Sequence, residues 1–245
     1  MAAVLGVVRS MRLWLVALLL AAAACARSVE PGQEGPARRV EVAAPERKAA
    51  TAPVAAPAAA PAPELRKALL VFGDSLSAGY GIRVSEAWPT LLQARLGEGF
   101  KVVNASVSGE TTAGGLTRLP AALAEHHPAI VILELGGNDG LRGLPLEAAE
   151  RNLSAMIELA QGAGAKVLLV SLQLPPNLGE RYTGQFQALF GTLARRYHLP
   201  APPFLLEGVA DQRELFQADQ IHPVASAQPR LLDNVYPALL GLARD

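Results

Sequence analysis

Ala68-Leu69-Leu70-Val71-Phe72-Gly73-Asp74-Ser75-Leu76-Ser77-Ala78-Gly79-Tyr80-Gly81 is the stretch that decides the fold. Five apolar residues, Ala68–Phe72, run without alternation. A strand of that kind is buried on both faces, as in a parallel sheet covered by helices. Glycine and polar residues then break the run and lead into a helical pattern. Similar apolar runs recur at Lys101–Ala105, Ala129–Leu135, Lys166–Leu172 and, more weakly, Pro203–Leu206. Amphipathic stretches lie between and after them, approximately Ala87–Leu96, Leu116–His126, Leu146–Gln161, Gln185–Tyr197 and Ala225–Leu242. Gly97, Gly99, Gly162 and Gly164 punctuate helix ends. The alternation predicts an α/β fold, a three-layer α/β/α sandwich with a central parallel sheet of about five strands. In such sheets ligands bind outside the carboxyl ends of the strands.

Residues 65–245 form this domain, and two other segments precede it. Residues 1–25 carry Arg9 and Arg12, no acid, and a wholly apolar run from Leu13 to Ala24. Twelve apolar residues are too few to cross a bilayer core of about 30 Å. They read as a secretory signal, complete even if translation starts at Met11. Cys25, the single cysteine, follows Ala22-Ala23-Ala24 directly. That is where a bacterial lipoprotein signal places the cysteine that is acylated. Cleavage at the Ala-x-Ala pattern, leaving a free thiol, is the plainer alternative. Residues 26–64 hold five basic and five acidic residues, and Ala49–Pro63 is nine Ala, four Pro, one Thr and one Val. Recurrent proline without large apolar groups makes this an extended spacer.

The whole chain of 245 residues is 51% hydrophobic and 18% charged, with 22 basic and 22 acidic residues. This balance excludes a nucleic-acid binder, which needs a surplus of Lys and Arg. One cysteine excludes a disulfide framework and a Cys-rich zinc site. The histidines show no H-E-x-x-H spacing, so a metal site is not expected. No other cofactor is expected either.

Four loop motifs carry chemistry. Ser75 sits just after the first strand, where a hydroxyl can face solvent beside a helix N-terminus. A serine there is also an ordinary helix cap. The surrounding sequence is neither a G-x-S-x-G elbow nor a phosphate loop. Asn104-Ala105-Ser106-Val107-Ser108-Gly109-Glu110 follows the second strand, and Gly109 allows close approach of a backbone N–H or simply a turn. Asn104-Ala105-Ser106 and Asn152-Leu153-Ser154 match glycosylation acceptors only formally, because the leader reads as bacterial. Glu134-Leu135-Gly136-Gly137-Asn138-Asp139-Gly140-Leu141-Arg142-Gly143 follows the third strand. There Asn138 is either an oxyanion donor or part of an Asn-Asp-Gly turn. Finally, Asp219-Gln220-Ile221-His222-Pro223 spaces a carboxylate and an imidazole so that one can hold the other.

Each motif is weak alone, but their order and context are not. Together they make the chain resemble the SGNH, or GDSL-type, hydrolase family over essentially all of 65–245, with Ser75, Gly109, Asn138 and His222 as the four signature residues. Gly73–Tyr80, Asn104–Thr111, Glu134–Gly143, Leu174–Tyr182 and Asp219–Pro223 are most similar to the bacterial periplasmic thioesterase, lysophospholipase and arylesterase group. Two departures are loop residues: Gln220 stands where that group often has Gly, and Val224 where it often has Asn.

The resemblance implies a flavodoxin-like sheet and a serine esterase acting on acyl esters, thioesters or lysophospholipids. It implies a Ser75–His222–Asp219 triad, and an oxyanion hole from the Ser75 and Gly109 N–H groups and the Asn138 amide. Leu141, Leu144, Leu174 and Pro175 are expected to line an apolar acyl groove, or in part to close the core. Gly140, Gly143 and Leu144-Pro145 are expected to form a loop able to move over substrate. Arg142 and Arg181 either meet an anionic head group or are solvated. The same superfamily also contains carbohydrate O-acetyl esterases, and a non-catalytic surface binding protein is a third reading of the scaffold. The expected location is the bacterial envelope, on the periplasmic side, with a lipid anchor at Cys25. Ala26 lacks the acid associated with inner-membrane retention, which leans towards the outer membrane.

Overall fold

The computed structural model describes residues 67–244. The proposed signal, the lipidation candidate Cys25 and the Ala/Pro-rich spacer lie outside the described residues.

Four parallel strands make the sheet: β1 (Lys67–Gly73), β2 (Phe100–Asn104), β3 (Ile130–Glu134) and β4 (Lys166–Leu169), in the spatial order β2-β1-β3-β4. The α-helices of the described residues are α1 (Ser75–Ala78), α2 (Trp88–Leu96), α3 (Thr112–His126), α4 (Gly137–Leu141), α5 (Leu146–Gly162), α6 (Glu180–Arg196) and α7 (Gln228–Arg244). α2 packs on α7, while α3 packs on α5 and α5 on α6. Leu69–Phe72 of β1 and all of β3 are fully or almost fully buried. This is why those strands read as unbroken apolar runs. β2 is half-exposed because it is an edge strand, with β1 as its sheet neighbour.

The expected fifth strand is reduced to one parallel bridge, Ser171 with Phe204. Ser171 N–H donates to the Pro203 carbonyl at 2.9 Å, and Leu205 N–H donates back to Ser171 at 3.2 Å. Pro202 and Pro203 have no N–H, so no longer ladder forms on this side. The spatial order with this segment beside β4 is that of flavodoxin-like sheets, whose switch point lies between β1 and β3.

α3 starts at Thr112, four residues before the expected Leu116. Thr111 caps it by accepting from Gly114 N–H at 3.3 Å. Gly115, in the part of the helix not expected, is glycine for a packing reason. A Cβ on Gly115 would stand 2.5 Å from Leu135 Cδ1 and 3.4 Å from a carbon of the Phe72 ring. α6 likewise starts earlier than expected, at Glu180.

Overpacking a filled core costs roughly 1–3 kcal/mol. Gly115→Ala is therefore expected to destabilise the domain by about that much despite alanine's better helix propensity. Chemical denaturation measures it, and a variant as stable as the parent contradicts this packing.

Candidate active site

The site lies at the switch point, where chain ends leave β1 and β3 in opposite directions. Gly73 ends β1 directly beside Glu134, which ends β3. Ser75 is two residues beyond one end, and Asn138 four beyond the other. Gly109 arrives from the loop after β2 with φ of +78°, a conformation glycine adopts without strain. Gly136 has φ of +115° and turns the chain into α4, which carries Asn138.

His222 Nε2 is 2.9 Å from Ser75 Oγ, and its Nδ1 is 2.7 Å from Asp219 Oδ2. The other carboxylate oxygen, Oδ1, accepts from the N–H groups of Ile221 and His222, both at 3.0 Å. Partial burial works to raise the Asp219 pKa. The hydrogen bonds from the His222 ring and from those two N–H groups outweigh it and hold the pKa down at about 2. Asp219 is thus an acceptor at any ordinary pH. The ring proton must then sit on Nδ1, leaving the Nε2 lone pair for the serine hydroxyl proton. The Tyr80 ring lies against His222 with centroids 4.4 Å apart.

Asn138 is held by a buried carboxylate. Its Nδ2 donates to Asp74 Oδ2 at 3.1 Å, while Asp74 Oδ1 caps α1 by accepting from Leu76 N–H at 3.0 Å. One amide N–H is thereby engaged and the second is left for a ligand. Behind Asp74, Glu134 Oε2 accepts from Ser77 Oγ at 2.6 Å and from Asp74 N–H at 3.3 Å. Burial pushes Glu134 well above the usual carboxylate range, and Asp74 adds to this. Burial also lifts Asp74, to about 6, against the hydrogen bond from Leu76, the His222 charge and the hydrogen bond from Asn138.

The sequence-level candidates do not all gather. Ser75, Asn138 and His222 line one cavity of about 510 Å³, and so do Leu141, Leu174 and Pro175. Leu144 is not among the lining residues, and its carbonyl accepts from the Tyr182 hydroxyl at 3.1 Å. The same hydroxyl reaches the Gly140 carbonyl at 3.3 Å, so the loop expected to move is tied to α6 at two points. Arg142 Nη2 donates to the Gly109 carbonyl at 3.0 Å and braces that loop. Arg181 is exposed. Phe204, Leu206, Ala210 and Phe216 line the cavity as well; the first two fall in the run Pro203–Leu206 that read as a strand, and the other two lie in irregular chain with no period. Asp74, Glu134 and Tyr80 escaped the sequence reading. Only the polar character of Glu134 at the end of an apolar strand marked it.

Comparison with known proteins places the chain in a family. Residues 71–228 match the GDSL-like lipase/acylhydrolase family. The chain is 52% identical over 177 residues to "Esterase TesA" of Pseudomonas aeruginosa, covering 71% of this chain and 88% of that protein. It is 45% identical over 165 residues to "Thioesterase 1/protease 1/lysophospholipase L1" of Escherichia coli K12, covering 67% and 79%. The crystal structure of a psychrotrophic esterase, EstA from Pseudoalteromonas sp., inhibited by monoethylphosphonate, superposes with a TM-score of 0.70 at 36% identity, covering 73% and 100%. An α/β/α sandwich with a serine, an imidazole and a carboxylate in line defines a class, the serine hydrolases. Within that class the chain belongs to the GDSL-like lipase/acylhydrolase family.

Asp74 has a folded pKa above its unfolded value of 3.8. Its ionisation therefore weakens the fold as pH rises between 3.8 and about 6. Asp74→Asn should stabilise the protein by about 1–3 kcal/mol at pH 8, with the gain vanishing below pH 4. It should also lower kcat roughly tenfold or more, because Asn138 loses its anionic acceptor. Unfolding curves at both pH values and steady-state kinetics read the two effects. Gln220 holds a left-handed φ of +60°. Gln220→Gly relieves that strain and should raise stability by about 0.5–1 kcal/mol, measured by denaturation.

Proposed function

We propose that the protein is a serine esterase that hydrolyses acyl esters and thioesters through an acyl-enzyme on Ser75. The observation that carries this reading is the unbroken line Ser75 Oγ–His222–Asp219 at 2.9 and 2.7 Å. Ser75 Oγ attacks the acyl carbonyl as its proton passes to His222 Nε2. Asp219 fixes the ring and stabilises the imidazolium. The carbonyl oxygen becomes an oxyanion held by the N–H groups of Ser75 and Gly109 and by the free N–H of Asn138. His222 then protonates the departing alcohol or thiol. Water, deprotonated by the same imidazole, attacks the acyl-enzyme and releases the carboxylic acid. The apolar cavity lining at Leu141, Leu174, Pro175, Phe204 and Phe216 accepts an acyl chain. This favours acyl-chain substrates, lysophospholipids included, over acetylated sugars, which offer little apolar surface to bury.

The envelope location and the anchor rest on the sequence alone. In this reading Cys25 is the acylated N-terminus of the mature chain, and residues 26–64 are its tether. Mass spectrometry of the mature N-terminus decides it: a diacylglyceryl mass on Cys25 is expected, and an unmodified terminus rejects the anchor.

The mechanism is tested by Ser75→Ala and Asn138→Ala on p-nitrophenyl esters and acyl thioesters of graded chain length. Ser75→Ala should lose about a thousandfold or more in kcat. Asn138→Ala should lose about 10²–10³-fold. Activity should rise from acetyl to medium chains as more apolar surface enters the cavity. A Ser75→Ala protein with wild-type rates contradicts the mechanism, and a preference for acetyl sugars contradicts the substrate class.

A further inference from the structure

Ser75 and His222 are 147 positions apart, yet their side chains meet at 2.9 Å. The histidine hairpin is closed within itself. Gln217 N–H donates to the His222 carbonyl at 2.8 Å, and Asp219 caps the N–H groups of Ile221 and His222. Those bonds set the imidazole relative to Asp219. They do not set it relative to the serine, which stands on a different segment.

One side chain makes that second link. Gln217 Nε2 donates to the Tyr80 carbonyl at 2.8 Å, on the serine segment, and to the Pro223 carbonyl at 3.2 Å, next to His222. Apart from Ser75–His222 itself, it is the hydrogen bond among the described residues that joins residues 74–82 to residues 213–224. The serine segment is shaped to receive it. Gly81 has φ of +74°, and a Cβ there would lie inside the Gln217 carboxamide, 2.8 Å from Cδ. The carboxamide thus seats on bare backbone directly behind Tyr80, whose ring contacts His222.

We propose that Gln217 is a positioning residue that sets the Ser75–His222 distance by clamping the histidine hairpin to the Tyr80–Gly81 backbone. The proposal rests on the triad reading above. Gln217 is not among the cavity-lining residues, so it acts on the reaction through His222 and not on substrate. An N–H donor facing two carbonyls is the necessary chemistry. A carboxylate of the same shape would repel both.

The test compares Gln217→Ala and Gln217→Glu with wild type and His222→Ala, using p-nitrophenyl butyrate. Misplacing a catalytic group by about 1 Å costs up to 10²-fold in rate. Both Gln217 variants should therefore lose about 10–100-fold in kcat, with KM within about twofold of wild type. The low-field NMR signal of the His222 Nδ1 proton, shared with Asp219, should persist in both, since the hairpin's own bonds remain. A kcat within twofold of wild type overturns the proposal. So does loss of the low-field signal together with activity, for then Gln217 holds up the hairpin and does not place it. Activity retained by His222→Ala would instead overturn the triad reading, which separates the two failures.

Discussion

The site depends on the register of β1 against β3. Gly73 pairs with Glu134 at the ends of these two central strands. The absent side chain at Gly73 lets them close tightly: a Cβ there would stand 2.5 Å from Glu134 Oε2 and 2.9 Å from the Glu134 carbonyl oxygen. Glu134, wholly buried, then bonds the Ser77 hydroxyl and the Asp74 N–H. This fixes the first turn after β1 on the end of β3. A one-residue slip would turn every side chain of the strand to the other face and dissolve these contacts. The nucleophile and the oxyanion amide are therefore placed by strand pairing, and the Asp74–Asn138 bond ties the two loops together across the switch point.

That arrangement carries a cost in stability that the chemistry explains. Two carboxyl groups, Asp74 and Glu134, lie 2% and 0% exposed at one sheet end. Burial raises both, Asp74 to about 6 and Glu134 well above the usual carboxylate range. An apolar pair would pack more cheaply. It would not hold the Asn138 amide with one N–H turned to the oxyanion, nor cap the helix that carries Ser75. Asp219 contrasts with this pair. It is partly exposed and surrounded by donors, so it stays ionised beside His222. The environments of these carboxyls set which accept protons and which only orient a neighbour.

Much of this was legible in the residues. The apolar runs marked the strands, since a parallel strand buried on both faces shows no alternation. Ser75, Asn138 and His222 each stood in a distinctive string just beyond a strand or in the last loop. What stayed hidden was tertiary. Nothing local to Tyr80 or Gln217 says that one lies against His222 and the other reaches across to the serine segment. Ala210 and Phe216 line the cavity from chain with neither helical nor strand period. Pro202 and Pro203 turned an apparent strand into a single bridge. The expected helix start at Leu116 left out Gly115, whose reason for being glycine, close contact with Leu135 and Phe72, lies on other elements. Leu144 read as groove lining, but Tyr182 holds its backbone outside the cavity wall.

The central claim is that Ser75 forms the covalent intermediate. Intact-mass and peptide analysis after treatment with a p-nitrophenyl alkylphosphonate tests it most directly, because Ser75 Oγ would displace p-nitrophenolate and keep the phosphonyl group. The account predicts one adduct per chain, on the peptide containing Ser75, formed with loss of activity and absent from Ser75→Ala. An adduct on another residue, or full inactivation of Ser75→Ala at the wild-type rate, would contradict it.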